Sequence, residues 1–284
     1  MSNITFVGLG LMGAAIAQRA QQDGQNMTVW NRSPEKMQSF IERGAQSAAN
    51  IQDAVAASPI LVICIEDYKN TRAMLEVDEV RSALQDRIVI QLSTGTPRDA
   101  VESETWFQSQ GARYIDGAIL GGPGTLHTED ARILFAGPVN AFAEAEELLK
   151  SLCYNIQYVG DNIRAAATLD LGWLCRHYGM FLGMVHAAVL CESEQVDLEL
   201  LAGVIPKSES AHAYIQKIAD GNYTDTTATL DTWATAFESI SRQSVDAGIN
   251  DEVPQLMSSL FDRAHKAGFG DEDITALVKV LRKH

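Results

Sequence analysis

Two stretches near the start of this sequence combine residue types and spacing that suit the binding of a dinucleotide. Gly8-Leu9-Gly10-Leu11-Met12-Gly13 is a GxGxxG run that follows a strand-like apolar segment and opens a helical pattern. In that setting the first glycine permits a tight turn and the second lets backbone approach a pyrophosphate. The third lets the helix pack closely on the strand. The helix that follows offers unpaired N–H groups to phosphate oxygens. The next strand-like segment ends in Trp30-Asn31-Arg32-Ser33-Pro34-Glu35-Lys36, where an NAD-binding chain would place an acid for the ribose hydroxyls. Here Arg32 offers a planar fork, Ser33 a hydrogen bond and Lys36 further positive charge. These suit a 2′-phosphate, so the expected cofactor is NADPH.

A third candidate is a lone carboxyl. Asp170 lies in the apolar run 165–191, where burial favours its neutral, proton-bearing form. Helical spacing puts Leu174, His177 and Phe181 on its face, with Tyr178 about 80° around at ~100° per residue. A structural reading would pair Asp170 with Arg164 or Arg176. His177 reads as structural. Ser93, Thr94, Gly95 and Thr96 follow the carboxyl end of a strand-like segment, the edge at which ligands bind in open α/β sheets. Trp233, Tyr214, Met257 and Phe237 could line an apolar pocket, although residues at helical spacing more often form core.

Positioning these groups requires a sheet and a helical layer. Short apolar runs at 4–7, 27–30, 60–65, 88–92, 114–115 and 133–136 alternate with helical patterns over the first half. That alternation predicts a parallel, doubly wound sheet of the Rossmann type. Beyond Gly160 the pattern is helical throughout, so the expected domains are 1–161, binding NADP, and 162–284, an all-helical C-terminal domain. An interdomain helix over about 163–191 joins them. Its run 165–191 is about 40 Å long at ~1.5 Å per residue and apolar on nearly every side. A small helical domain cannot cover such a helix alone, which predicts a homodimer with a second subunit against it.

The chain has 284 residues, enough for a sizeable core, and its formal charge of −15 repels nucleic acid and anionic membranes. Its four cysteines form no CxxC pair and show no metal-ligand spacing. The N-terminus lacks a basic region of the signal-peptide kind. The longest stretch of the apolar helix free of Asp, Glu, Lys and Arg, 178–191, is shorter than the ~20 residues that span a bilayer. A cytoplasmic enzyme with no membrane partner is the expectation.

With these residues in view, the chain resembles the β-hydroxyacid dehydrogenase, or 6-phosphogluconate dehydrogenase-like, superfamily, and within it the imine reductase and reductive aminase branch. The resemblance runs through GLGLMG at 8–13, VWNRSPEK at 29–36, QLSTGTP at 91–97 and YIDGAILGGP at 114–123. It continues through ILFAGP at 133–138, TLDLGWLCRHYG at 168–179 and GFGDEDITAL at 268–277. The hydroxyacid dehydrogenases carry a lysine and an asparagine on the interdomain helix and a serine before paired glycines. Those positions here are Asp170, Leu174 and Leu120. The resemblance therefore implies an imine reductase of the aspartate type, with Tyr178 where the reductive aminases carry a tyrosine. Thr94 stands where they carry an asparagine, which points to imine reduction over strong reductive amination.

Reducing a C=N bond needs hydride on carbon and a proton on nitrogen. A carboxyl group can give that proton, or steady a preformed iminium once ionised. The expected function is reduction of small imines by NADPH, with Asp170 and Tyr178 catalytic, Gly8 to Gly13, Asn31, Arg32, Ser33, Lys36 and Thr94 on the cofactor, and the C-terminal domains of a homodimer interlocked. An NADP-dependent dehydrogenase of a small carbonyl or hydroxy acid is the rival enzyme. A non-catalytic NADPH-binding protein is the rival from another class.

Overall fold

A computed structural model of the chain describes residues 2–126, 128–129, 131–207, 210–226 and 228–282. It divides into two compact units, Met1–Asp170 and Leu171–His284.

The first unit is a sheet between helices. Its strands are β1 (Ile4–Val7), β2 (Met27–Trp30), β3 (Gln46–Ser47), β4 (Ile60–Ile63), β5 (Ile88–Gln91), β6 (Arg113–Leu120), β7 (Arg132–Ala136) and β8 (Asn155–Tyr158). They lie in the order β3-β2-β1-β4-β5-β6-β7-β8. The first six strands in that order pair in parallel, while β7 runs antiparallel to β6 and carries β8 parallel to itself. The sheet is thus doubly wound as expected, but it is not parallel throughout. The connection from β6 to β7 is too short for a crossover helix, so the chain reverses.

Alternation along the strands supplies both cores. Ile4, Phe6, Val29, Val62, Ile90 and Ile115 bury on one face, and Val7, Leu61, Ile63, Val89 and Tyr114 on the other. Each such side chain contributes about 1.5–3 kcal/mol of transfer free energy when fully buried. The faces are covered by α1 (Leu11–Gln22), α2 (Gln38–Glu42), α3 (Ile51–Ala56), α4 (Tyr68–Leu75), α5 (Asp78–Ala83), α6 (Pro97–Ser109) and α7 (Val139–Leu149). A 3-10 turn over Pro34–Met37 leads into α2.

The long helix α8 (Ala165–Ser193) begins in the first unit and continues into the second. Among the described residues it is the one helix long and apolar enough by length and composition to cross a membrane. Only 28% of its most apolar window is buried within the chain. Where the sequence predicts a helix over about 163–191, α8 spans Ala165–Ser193.

The second unit adds α9 (Leu198–Val204), α10 (Ser210–Asp220), α11 (Leu230–Ala247), α12 (Glu252–Lys266) and α13 (Leu277–Leu281) around a core that includes Phe181, Ile215, Phe237, Met257 and Phe261. Its GFGDEDITAL segment clamps the start of α11. Leu230 N–H donates to Glu272 O at 2.7 Å and Asp231 N–H to Gly270 O at 3.0 Å. A Cβ on Gly270 would lie 2.5 Å from the Asp231 carboxylate, which would have to shift to admit it.

Candidate active site

The sheet order reverses direction between β1 and β4, with β2 on one side of β1 and β4 on the other, which opens a crevice at their carboxyl ends. The glycine run occupies that point. Gly8 has φ +95°, and a Cβ on it would lie 2.3 Å from the carbonyl oxygen of Cys64, just past β4. A Cβ on Gly13 would lie 2.2 Å from Gly8 O. Both glycines therefore serve close packing of α1 on the strand ends. Gly10 differs, because nothing lies within 4 Å of where its Cβ would stand. It is the N-cap of α1, with no side-chain cap and no acidic residue in the first turn. An open backbone surface beside uncapped amides is the arrangement that accepts a phosphate.

The other predicted cofactor residues divide by exposure. Leu11, Arg32 and Lys36 are exposed, Met12 and Ser33 half-buried and Leu9 buried, while Thr94 is exposed beyond β5. Arg32 stands two residues beyond Trp30, whose register partner on β1 is Val7. That puts Arg32 on the loop beside the glycine turn, and no ion pair engages it among the described residues. Asn31 acts inward. Its Oδ1 accepts from Leu9 N–H at 2.9 Å and its Nδ2 donates to Ser33 O at 3.1 Å, so it ties the glycine turn to the loop that carries Arg32. The residues present fit a dinucleotide with a 2′-phosphate.

Beyond β5, Ser93 Oγ accepts from Ile65 N–H at 3.3 Å, and Thr96 forms a capping box with Asp99 at the start of α6. Gly95 lies against the ring of Tyr68, with a Cβ there only 2.4 Å from the ring carbon Cε2. Cys64 is inert as a nucleophile, since burial pushes its thiol up to about 12.

Asp170 is 6% exposed, and burial pushes its carboxyl up from 3.8 to about 7. It is therefore substantially protonated at neutral pH, as a proton donor requires. A second buried acid accompanies it. Asp116 on β6 is fully buried, and its Oδ1 accepts hydrogen bonds from Tyr68 Oη at 2.6 Å and Tyr114 Oη at 2.9 Å. Sequence reasoning missed this group. The available signal was an acid inside the apolar strand run YIDGAIL, where an unpaired carboxyl would be costly.

In the second unit Tyr178 is 1% exposed and donates its hydroxyl hydrogen to Trp233 O at 2.6 Å. Its ring packs edge-on against Phe237 and Phe261. His177 stacks between Trp173 and Trp233, at 4.9 and 5.8 Å between centroids. Burial and the neighbouring Arg176 hold His177 below its usual range, so the imidazole is neutral at pH 7. Met257 and Phe237 are core residues, whereas Trp233 and Tyr214 are only half-buried beside His177.

Known families match the two parts of the chain separately. Residues 3–160 match the NAD binding domain of 6-phosphogluconate dehydrogenase, and residues 162–283 match the C-terminal domain of NADPH-dependent reductive aminase-like proteins. An NADPH-dependent reductive aminase from Aspergillus oryzae is 28% identical, covering 99% of this chain and 97% of the relative. The structure of an imine reductase from Myxococcus stipitatus in complex with NADP+ is 29% identical, covers 99% of this chain and all of the other, and gives a TM-score of 0.69. A reductive aminase from Aspergillus terreus, solved with a reduced NADP cofactor, cyclohexanone and allyl amine, is 33% identical, with 99% of each chain covered and a TM-score of 0.66. The chain belongs to the 6-phosphogluconate dehydrogenase-like superfamily and, within it, to the reductive aminase and imine reductase family.

Proposed function

We propose that this chain is an NADPH-dependent imine reductase in which Asp170 supplies the proton. The observation that carries the reading is a buried carboxyl, raised to about 7, where a hydroxyacid dehydrogenase would carry a lysine. When bound, NADPH supplies a hydride to the carbon of the C=N bond. Asp170 gives its proton to the nitrogen, and the resulting carboxylate then faces an amine that becomes cationic at neutral pH. A hydroxy-acid substrate would instead bring its own carboxylate to an acid, with no basic residue at this position to hold it.

On the cofactor, Arg32, Ser33 and Lys36 hold the 2′-phosphate, and the backbone at Gly10 with the amides of α1 holds the pyrophosphate. Leu9, Met12 and Asn31 shape that turn, and Thr94 borders the nicotinamide ribose. Tyr178 acts by fixing the backbone at Trp233. The neutral, apolar cluster of His177, Trp173, Trp233 and Tyr214 suits an uncharged, hydrophobic imine better than a polar sugar acid.

A second copy of the chain covers α8. Leu169 is 48% and Leu190 59% exposed on that helix, a cost the monomer does not otherwise recover. Arg176, exposed partway along the helix, favours a protein partner over a bilayer as the cover. The acidic surface and the solution chemistry of imines fit a cytoplasmic enzyme acting on a small molecule, without nucleic acid.

The test is NADPH oxidation against a panel of cyclic imines and, in parallel, β-keto acids and aldehydes. Turnover on the imines is expected. Turnover confined to the carbonyl panel would overturn the assignment while leaving the cofactor site in place. Light-scattering mass of twice the chain mass is expected in solution, and a monomer would remove the dimer.

A further inference from the structure

The loop that follows β5 is held so that one residue faces outward. Between Gln91 and Pro97, Thr94 alone is exposed, while Leu92, Ser93, Gly95 and Thr96 are buried. On one side of Thr94, Ser93 Oγ accepts from Ile65 N–H at 3.3 Å. On the other, Thr96 N–H and Oγ1 both donate to Asp99 Oδ2 at 2.8 Å, which fixes the loop to the start of α6. Gly95 stands between these anchors. Its φ is not positive, so glycine serves there for room and not for conformation.

Tyr68 sets how much room there is. A Cβ on Gly95 would lie 2.4 Å from Tyr68 Cε2, 2.5 Å from Cδ2 and 3.2 Å from Asp99 Oδ2. A ring at the end of a loose side chain would swing aside, but this ring is pinned. Tyr68 opens α4, is 7% exposed, and donates its hydroxyl hydrogen to Asp116 Oδ1 at 2.6 Å. Asp116 is fully buried on β6, beside Gln91 of β5. It takes a second hydrogen bond from Tyr114, whose ring stacks on Phe107 of α6 with centroids 5.2 Å apart. Gln91 Nε2 donates to Thr71 Oγ1 at 2.9 Å, which ties α4 to the strand leading into the loop. Burial holds the Tyr68 hydroxyl well above its usual range, so it remains a donor. The ring can yield to Gly95 only by giving up its bond to a buried carboxyl.

We infer that Tyr68, anchored by Asp116, is a positioning residue: its ring is the stop against which Gly95 rests, and it thereby fixes Thr94 at the nicotinamide side of the cofactor. The clamp itself stands on contacts within the first unit. Its consequence rests on the NADPH reading above, in which Thr94 borders the nicotinamide ribose. A loop pushed outward by one methyl group carries Thr94 into the space of that ribose. The pyrophosphate turn at Gly10 and the loop of Arg32 follow other strands, β1 and β2, and are left undisturbed.

The experiment compares wild type with Gly95→Ala, Tyr68→Ala and Tyr68→Phe, and with Gly95→Ala combined with each tyrosine change. Each protein is titrated with NADPH and with 2′,5′-ADP, which carries the adenosine half and no nicotinamide, and is unfolded in urea. Gly95→Ala should weaken NADPH by about 10-fold or more and leave 2′,5′-ADP within about 2-fold. Adding Tyr68→Ala, which removes the ring, should bring NADPH affinity back toward wild type. Adding Tyr68→Phe, which releases the ring from Asp116, should recover part of it. A loss that neither change relieves, or an equal loss for both ligands, overturns the inference. If Gly95→Ala does not fold, the same coupling is read in urea: the pair with Tyr68→Ala should fold, and a pair no more stable than Gly95→Ala overturns the clamp. These titrations need no imine turnover, so failure of the imine reading leaves them standing. Urea coupling in a protein whose wild type binds neither ligand supports the clamp and rejects the cofactor reading instead.

Discussion

Tyr178 donates its hydroxyl hydrogen to the backbone carbonyl of Trp233 at 2.6 Å, fixing the first turn of α11 against α8. With its proton committed there, the phenol serves the site by holding Trp233 in place. Tyr178→Phe should cost about 0.5–1.5 kcal/mol of stability, the net contribution of one intramolecular hydrogen bond. Its effect on kcat should be smaller than that of removing Asp170. Urea unfolding and steady-state kinetics on the same preparation check both statements. A collapse of kcat with unchanged stability would make the hydroxyl a proton donor after all.

Arg32 carries the cofactor preference. Arg32→Ala should raise KM for NADPH by about 10–100-fold, the loss of one charge-assisted phosphate contact, and leave KM for NADH nearly unchanged. Equal losses for both cofactors would place the guanidinium away from the 2′-phosphate.

The glycine run separates folding from binding. Gly13→Ala forces a Cβ to 2.2 Å from Gly8 O and should lower thermal stability sharply. Gly10→Ala enters open space, so the protein should fold normally and bind NADPH weakly. Calorimetric unfolding and cofactor titration distinguish the two. Unaltered NADPH affinity in Gly10→Ala would remove the pyrophosphate from that turn.

The raised carboxyl at Asp170 also has a consequence for stability. Its folded value of about 7 lies above the ordinary 3.8, so the native state binds more protons than the unfolded state between these values. Stability contributed by this group is therefore present at acid pH and lost as pH rises through that window. Asp170→Asn should be more stable than wild type at pH 8, by an amount on the order of a few kcal/mol, and the two should converge near pH 4. Denaturant unfolding across that range is the check. A gap that widens toward acid pH would mean the carboxyl is ionised and paired in the native state.

Much of this architecture was legible from apolar periodicity. The strands β1, β2, β4 and β5 read clearly because each is a mostly apolar run with nearly every residue buried. The strand β3 did not, because its two residues, Gln46 and Ser47, are exposed and carry no pattern. Nor did β8, whose Asn155 and Gln157 interrupt any apolar run. Helix α1 begins within the glycine run itself, at Leu11, so Gly13 packs inside the helix.

At the site, residue types alone pointed to Arg32 and Asp170, because a charge where an opposite charge is expected, or inside an apolar helix, is informative by itself. The Tyr68–Asp116 bond spans 48 residues of sequence and depends on strand order, which no local pattern encodes. The side chain of Asn31 is a similar case. Its position beside Arg32 suggested a cofactor residue, and its hydrogen bonds run to Leu9 and Ser33.

The central claim is that Asp170 protonates the nitrogen of an imine reduced by NADPH, and comparing wild type with Asp170→Ala on a cyclic imine tests it most directly. Cofactor affinity should be retained and imine-dependent NADPH oxidation should fall by about 100-fold or more, the usual contribution of a positioned general acid. Imine turnover that survives the substitution undiminished would contradict the account and place the proton donor elsewhere.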